Sequence, residues 1–299
     1  MNRAAPAILF AFPEFRRMAR ELVRSPGMVE GRFRADRYGN GEWHVSLGAD
    51  VAGKECVVLG TVTPPADSMV ALGILVHTLK KEGARRITAL LPYLAYARAD
   101  KDHERESMGA AWLGGFLASS GVDEVVTVDL HSDRDRVLFP IPIVSLSPAT
   151  LFARAFGGRR LRDAVVVAPD RGAIPQCEAA RTALGILRPA AYFEKHRHGR
   201  RMTQCGPFGD VGETAILIDD IFDTGMTLSL AVRALRKRGV RSIFVAATHG
   251  LFTDLKFRPD SVAGMVVTDT IPRTKGPPKG VKVLSVIPLL KGHFGARYA

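Results

Sequence analysis

At 299 residues the chain reaches the size, roughly 250 to 300 residues, at which a single hydrophobic core stops growing, so two domains are expected. A hydrophobic share of 46% beside 24% charged residues excludes disordered, collagen-like and coiled-coil classes, and no apolar stretch approaches the ~18 residues of a membrane span. The net charge of +12 suits anionic partners, but the basic residues form scattered short clusters such as Arg16-Arg17, Lys80-Lys81 and Arg236-Lys237-Arg238, without the aromatic interleaving of a nucleic-acid binder.

Taken in chain order, the run from Ala4 to Phe12 reads as a first buried strand, since Pro13-Glu14 follows it and no small-residue cleavage site of a signal peptide is present. Gly48-Ala49-Asp50-Val51-Ala52-Gly53-Lys54-Glu55 nearly spells a phosphate-binding P-loop. Glu55 replaces the Ser or Thr that would hold magnesium, and a strand rather than a helix follows, so a turn is expected. Strands are expected at Glu55 to Gly60, Arg86 to Leu91 and Glu124 to Leu130, separated by helical patterns at Ser68 to Glu82 and Gly109 to Ser120. The cysteines, Cys56, Cys177 and Cys205, have no CxxC spacing, which indicates neither a disulfide framework nor a zinc site and fits a reducing cytoplasm.

Two prolines in Phe139-Pro140-Ile141-Pro142-Ile143-Val144-Ser145 interrupt regular structure and place a boundary there, giving domains 1–145 and 146–299. A helix is expected from near Pro148, and the strand-helix alternation then repeats with strands at Ala164 to Ala168, Ala215 to Ile218, Ser242 to Ala247, Met265 to Val267 and Lys282 to Val286. The expected fold class is α/β, two similar doubly wound parallel-sheet domains. Polar residues close several strands: Asp129 and His131, Asp170, and Asp219-Asp220. Ligands of such sheets bind beyond the carboxyl ends of the strands, so these residues mark a crevice.

The most specific pattern is Ala215-Ile216-Leu217-Ile218-Asp219-Asp220-Ile221-Phe222-Asp223-Thr224-Gly225-Met226-Thr227, an apolar strand, two carboxylates, a short turn and a helix start. Carboxylates at a strand end can accept hydrogen bonds from vicinal ribose hydroxyls, and the turn offers backbone N–H groups and hydroxyls to a phosphate. Leu228, Ala231, Val232 and Leu235 then recur at helical spacing, with a basic last turn and Gly239 as the stop. A lone Asp-Thr-Gly is often only a turn and a helix cap; here the whole context is met.

This segment resembles the phosphoribosyl-diphosphate loop shared by phosphoribosyltransferases and ribose-phosphate diphosphokinases. Further segments resemble the diphosphokinase family, from about Ile8 to Leu290. Arg37-Tyr38-Gly39-Asn40-Gly41-Glu42 is similar to that family's adenine loop, and Pro92-Tyr93-Leu94-Ala95-Tyr96-Ala97-Arg98-Ala99-Asp100 to its second ATP-contacting segment. Thr127-Val128-Asp129-Leu130-His131 resembles its magnesium-bearing strand end, Ala168-Pro169-Asp170-Arg171-Gly172-Ala173 its diphosphate turn, and Phe193-Glu194-Lys195-His196-Arg197 its catalytic flexible loop.

The resemblance implies domains of phosphoribosyltransferase type and transfer of the terminal diphosphate of Mg-ATP to the 1-hydroxyl of ribose 5-phosphate, in nucleotide biosynthesis. It implies Lys195 and Arg197 as the catalytic pair; Asn40, Gly41, Glu42, Arg98, Ala99 and Asp100 as ATP-binding; and Asp219, Asp220, Asp223, Thr224, Gly225, Met226 and Thr227 as ribose-5-phosphate-binding. Asp170, Arg171 and Gly172 would form the diphosphate turn, and His131 and Asp170 would hold Mg2+. The implied assembly is a homo-oligomer, a hexamer built from dimers, with no nucleic acid or membrane partner. Phosphoryl transfer is mostly positioning and charge neutralisation, so Lys and Arg on a closing loop suit it.

Several positions depart from the family. Ala99 stands where a glutamine is usual, Ala173 and Gln176 where a glycine and an arginine are usual, and Met226 where a small residue is usual. Gly-to-Ala is harmless at negative φ; the missing arginine at Gln176 removes a bidentate phosphate anchor that Arg171 would have to replace. The last residues, Phe294 to Ala299, lack the Ser-rich tail of phosphate-activated members, from which activity independent of phosphate is expected. Two other readings stay open at this level: a catalytically inactive regulatory paralogue, opposed by Lys195, Arg197, His131 and Asp170, and a phosphoribosyltransferase, opposed by the ATP segments.

Overall fold

The computed structural model describes residues 6–156, 161, 163–198 and 201–298, with the side chains of 196–198, 201 and 202 outside the described set. The chain forms two compact units, Met1–Leu146 with Ile287–Ala299, and Ser147–Val286.

The first unit runs β1 (Ala7–Ala11), α1 (Arg16–Val23), β2 (Met28–Glu30), β3 (Phe33–Arg37), β4 (Trp43–Leu47), β5 (Glu55–Leu59), α2 (Asp67–Lys81), β6 (Arg86–Leu90), α3 (Gly109–Ser120), β7 (Glu124–Val128), α4 (Asp135–Leu138) and β8 (Ile143–Leu146). Its six-stranded sheet has the order β2-β1-β5-β6-β7-β8, parallel throughout. Cys56, Val57, Val58 and Leu59 are all buried in succession, as expected where helices cover both faces of a parallel sheet. The near-P-loop segment makes no phosphate cradle: Ala52 N bonds Asp50 Oδ1 at 3.1 Å, Lys54 Nζ bonds Asp50 O at 2.8 Å, and β5 follows. β8 arises inside the proline segment read as irregular, because Pro140 and Pro142 precede the paired residues Ile143 to Leu146 and so cost the ladder no donor.

The second unit runs α5 (Ala149–Phe156), β9 (Val165–Ala168), α6 (Ile174–Leu184), β10 (Ala191–His198), β11 (Arg201–Phe208), β12 (Thr214–Phe222), α7 (Met226–Lys237), β13 (Ser242–Gly250), β14 (Gly264–Thr268) and β15 (Val281–Leu284). Its seven-stranded sheet has the order β11-β10-β9-β12-β13-β14-β15, parallel except for the antiparallel pair β10 and β11. Alternate residues of each strand enter separate cores. Val165, Val167, Leu217 and Val245 pack with Leu228, Ala231, Val232 and Leu235 of α7, whereas Val166, Ala168, Ile216, Ile218 and Ala246 pack with Phe152 and Phe156 of α5 and Cys177 and Ala180 of α6. This is the doubly wound arrangement expected from the strand-helix alternation.

Two antiparallel hairpins supplement the parallel scheme. β3 and β4 pair from Phe33↔Leu47 to Arg37↔Trp43, and β10 and β11 pair from Tyr192↔Phe208 to His198↔Arg201. β10 as far as His198 and β11 from Arg201 stand in place of the loop expected at Glu194 to Arg201, residues 199 and 200 lying outside the described set; the charged sequence hides the apolar alternation that marks a strand.

The chain ends in α8 (Ile287–Tyr298), which belongs to the first unit although the division at 145/146 placed it with the second half. Leu290, Phe294 and Tyr298 are buried at successive four-residue steps. Lys291 Nζ bonds Glu21 Oε2 of α1 at 3.2 Å, and Arg297 pairs with Glu124 at the start of β7.

Candidate functional site

In the first unit the β3–β4 turn is built by its own backbone: Tyr38 N donates to Glu42 O at 2.9 Å and Gly41 N to Tyr38 O at 2.8 Å. Gly41 takes φ +91°, a conformation that favours glycine. Asn40 Oδ1 accepts from Glu42 N at 3.2 Å, and Arg37 Nη1 donates to Gly41 O at 2.8 Å. Arg37 also lies 4.1 Å from the Trp43 ring centroid and pairs with Asp67 of α2 at 3.1 Å, which ties the hairpin to that helix. The loop therefore presents Asn40, Gly41 and Glu42 to solvent on a braced support. Beside them Tyr38 is 56% exposed, its ring 5.3 Å from that of His44; an aromatic face left in water suits stacking on a base.

The second segment expected to contact nucleotide follows β6. Tyr96 takes φ +67°, and Ala99 N closes the turn onto Tyr96 O at 3.1 Å while Ala99 O caps α3 through Ala110 N at 3.2 Å. Arg98 is exposed and Asp100 buried. Tyr93 is buried, and Tyr96 meets Trp112 of α3 edge-on, centroids 5.6 Å apart. At the carboxyl end of β7, Asp129 takes φ +52°, strained for a non-glycine residue and held by Asp129 N to Leu146 O at 3.0 Å. His131, half-buried, comes next.

Four residues on lies a buried acid that the sequence does not single out. Asp135 has no exposed surface, and neither carboxylate oxygen meets a donor at full hydrogen-bond geometry. Burial first, and then the charge of Asp100, push its carboxyl up to about 7, against the smaller pull of His131 and the Ser132 amide. In sequence it sits in Ser132-Asp133-Arg134-Asp135-Arg136, a charge run that reads as a solvated turn.

In the second unit β9 and β12 are parallel neighbours, so Asp170 and the pair Asp219 and Asp220 leave the sheet at one edge. Asp170 Oδ1 accepts from Gly172 N at 2.9 Å and Ala173 N at 3.3 Å, capping the turn Arg171–Ala173 that leads into α6. Burial, then Asp220 and then Asp170, hold the Asp219 carboxyl well above the usual range. Asp219 Oδ1 accepts from Asp220 N at 3.1 Å and Asp220 Oδ1 from Ile221 N at 2.8 Å. These carboxylates are bonded to their own backbone and crowded by like charge.

The turn after β12 ends at Gly225, with φ +74°, immediately before α7. A Cβ there would lie 2.3 Å from Phe257 Cβ and 2.9 Å from the Phe222 ring, so only glycine fits. Met226 N reaches Thr224 Oγ1 at 3.4 Å, and Lys256 N donates to Thr224 O at 2.9 Å. Asp223, Thr224 and Thr227 are half-buried, and Met226 is 40% exposed at the helix start.

On the β10–β11 hairpin, Lys195 is paired with Gln204 and half-buried. Arg197 pairs with Met202 through the backbone; its side chain lies outside the described residues. Arg171 is bound to Glu194 of the same strand, Nε to Oε1 at 2.9 Å, and lies 5.6 Å from the Tyr192 ring centroid. Gln176 Oε1, at the position of the missing arginine, is buried without a hydrogen-bond partner.

Two mainly parallel sheets with carboxylates at their strand ends, a glycine-closed turn before a helix and a charged hairpin define an α/β protein built from two such units. Residues 7–121 match the family model described as the N-terminal domain of ribose phosphate pyrophosphokinase, and residues 198–288 match the phosphoribosyl synthetase-associated domain. The ribose-phosphate pyrophosphokinase of Bacillus caldolyticus is 32% identical over 291 residues, covering 94% of this chain and 91% of that protein. That of Parasynechococcus marenigrum is 34% identical over 263 residues, 85% of this chain and 79% of its own length. The crystal structure of phosphoribosylpyrophosphate synthetase from Mycobacterium smegmatis superposes with a TM-score of 0.82 at 31% identity, covering 98% of this chain and 99% of that one. The chain belongs to the ribose-phosphate pyrophosphokinase family.

Proposed function

We infer that this chain is a ribose-phosphate diphosphokinase: it moves the terminal diphosphate of ATP to the 1-hydroxyl of ribose 5-phosphate, giving phosphoribosyl diphosphate and AMP. The observation that carries this reading is the family match over 94% of the chain, joined to the intact strand–Asp219-Asp220–turn–helix loop.

In the residue roles we propose, the first unit holds the nucleotide. Asn40, Gly41 and Glu42 meet the base edge, Tyr38 offers its exposed face, and Arg98, Ala99 and Asp100 flank the phosphates. In the second unit Asp219 and Asp220 accept hydrogen bonds from the ribose hydroxyls, and the N–H groups of Asp223 to Thr227 surround the 5-phosphate at the positive end of α7. Asp170, Arg171 and Gly172 take the diphosphate. As the sugar 1-hydroxyl attacks the β-phosphorus, charge moves toward the departing AMP, and Lys195 with Arg197 neutralises it.

Magnesium fits the donors present. In the second unit Asp170 and its neighbours offer the carboxylate oxygens that Mg2+ prefers, and in the first unit His131 offers a nitrogen. Burial first, and then the charges of Asp220 and Asp170, raise the Asp219 carboxyl, a cost that a counterion or hydroxyl donors would relieve. Among the described residues no three such groups form a complete metal centre, so ATP phosphates and water would fill the shell. When bound, the ion would offset charge on the phosphate oxygens. Assembly as a homo-oligomer and residence in the cytoplasm complete the proposal.

The test is AMP release from ATP by the purified chain, with and without ribose 5-phosphate. Release that depends on the sugar phosphate is expected; release equal in its absence, or none with both substrates and magnesium present, overturns the reading.

A further inference from the structure

Arg273 follows β14 on the edge of the second sheet where the carboxyl ends of β12, β13 and β14 lie. Its guanidinium carbon sits 4.3 Å from the centroid of the Phe252 ring. Nε and Nη2 are both shielded from solvent, and among the described residues no acceptor meets either. Among the same residues no carboxylate pairs with it, and desolvation lowers its pKa. A guanidinium remains charged under any such shift, so the folded chain carries a half-buried cation with two unused donors, an arrangement that is costly unless something supplies the acceptor.

Its surroundings connect it to the turn after β12. Phe252 packs on Phe222, centroids 5.2 Å apart, and Phe222 packs edge-on against Phe257 at 5.6 Å. Phe222 is the last residue of β12, directly before Asp223 to Thr227, and Phe257 is the residue that denies Gly225 a Cβ. Leu251 N donates to Phe222 O at 2.7 Å. Gly250, the last residue of β13, has no side chain to displace the cation: a Cβ there would stand 2.6 Å from the Phe252 ring and 3.1 Å from Arg273 Nη2. One rigid aromatic stack thus carries the phosphate turn on one side and the guanidinium on the other.

We propose that Arg273 is a phosphate-binding residue of the second unit, placed at the border of the sugar-phosphate turn so that Nε and Nη2 meet a phosphate group as a fork. The assignment rests on the diphosphokinase reading only for the identity of the sugar phosphate. The phosphate is either that of ribose 5-phosphate or a separate phosphate ion bound beside it.

The experiment is calorimetric titration of the full chain and of Arg273→Met, Arg273→Gln and Arg273→Lys with ribose 5-phosphate and with inorganic phosphate, each variant checked by thermal melting. We expect the Met and Gln variants to bind one or both ligands at least about tenfold more weakly, the loss of a charge-assisted contact, with partial recovery in the Lys variant. If the sugar's own phosphate is the ligand, inorganic phosphate competes with ribose 5-phosphate and both weaken together. If a separate ion is the ligand, inorganic phosphate binds alongside the sugar phosphate and it alone weakens. Unchanged affinity for both ligands in a folded variant overturns the assignment, and so does a Lys variant no better than Met. Wild-type protein that binds ribose 5-phosphate but releases no AMP would sink the enzymatic reading and leave this assignment standing.

Discussion

Arg171 in the turn after β9 and Glu194 on β10 hold each other, with Arg171 Nε and Nη2 both directed at Glu194 Oε1. The cation expected to offset the missing arginine at Gln176 is thus neutralised by the residue preceding Lys195. Glu194→Gln should release it: affinity for inorganic diphosphate, read by calorimetry, should rise severalfold, whereas Arg171→Ala should lower it. The melting temperature should hardly move, because Arg171 is exposed and solvent screens its attraction to Glu194. Weaker diphosphate binding in Glu194→Gln would mean that the carboxylate positions Arg171 rather than restraining it.

Lys195→Ala should lower kcat by about 10²-fold or more while leaving KM for both substrates nearly unchanged, the mark of a contact made in the transition state. Arg197→Ala should do the same. Arg200→Ala and Arg201→Ala serve as controls for general loss of positive charge. Near-normal kcat in Lys195→Ala, or equal harm from the controls, would remove Lys195 from catalysis.

Asp219→Asn should separate sugar binding from stability. Burial and neighbouring carboxylates raise the folded-state pKa of Asp219, so the folded chain holds its proton longer than the unfolded chain does, and ionising it costs stability as pH rises. The ligand-free Asn variant should melt higher than wild type at pH 7, with the gain shrinking as pH falls. KM for ribose 5-phosphate should rise while ATP affinity persists. Equal loss for both substrates would point to a folding defect.

Asp135 allows a cleaner pH test. Its carboxyl titrates near 4 when unfolded and at about 7 in the fold, so its cost grows between those values and is complete above pH 7. Asp135→Asn should therefore stabilise the protein most at pH 8 and progressively less toward pH 4. A gain constant across that range would mean that packing, not charge, sets the difference.

Gly225→Ala should disable the phosphate turn. The residue needs both positive φ and the space occupied by the Phe257 Cβ, and conformational strain of this kind costs about 1–3 kcal/mol before any clash is counted. Calorimetry should show ribose 5-phosphate binding lost or sharply weakened in a chain whose melting temperature falls by several degrees; intact binding would contradict the role given to the turn.

The parts legible in the sequence are those where burial imposes a simple period. Val165 to Ala168 and Ala215 to Ile218 are apolar at every position because both faces of the sheet are covered, and Leu228, Ala231, Val232 and Leu235 lie inward on α7. The candidate site residues at strand ends stood out because a carboxylate directly after such a run has few structural uses. β10 and β11 did not, since charged residues on a sheet edge look like a loop. Asp135 was hidden for the opposite reason: an acid in a polar run gives no sign that the fold will bury it, and its neighbour Asp100 lies far away in sequence. The Arg273–Phe252 contact joins two loops that only the sheet order brings side by side.

α8 gives the chain an unusual assembly schedule. The unit that contains the first 146 residues also needs Ile287 to Tyr298, with Leu290, Phe294 and Tyr298 in its interior and Arg297 satisfying the buried Glu124. A ribosome making the protein therefore emits the N-terminal unit first yet cannot let it finish, and the second unit, whose residues run without interruption from Ser147 to Val286, can close before its predecessor does. Until Ile287 to Tyr298 emerge, the apolar surface that Leu290, Phe294 and Tyr298 cover in the folded unit stays open. Chaperone capture during synthesis should concentrate there.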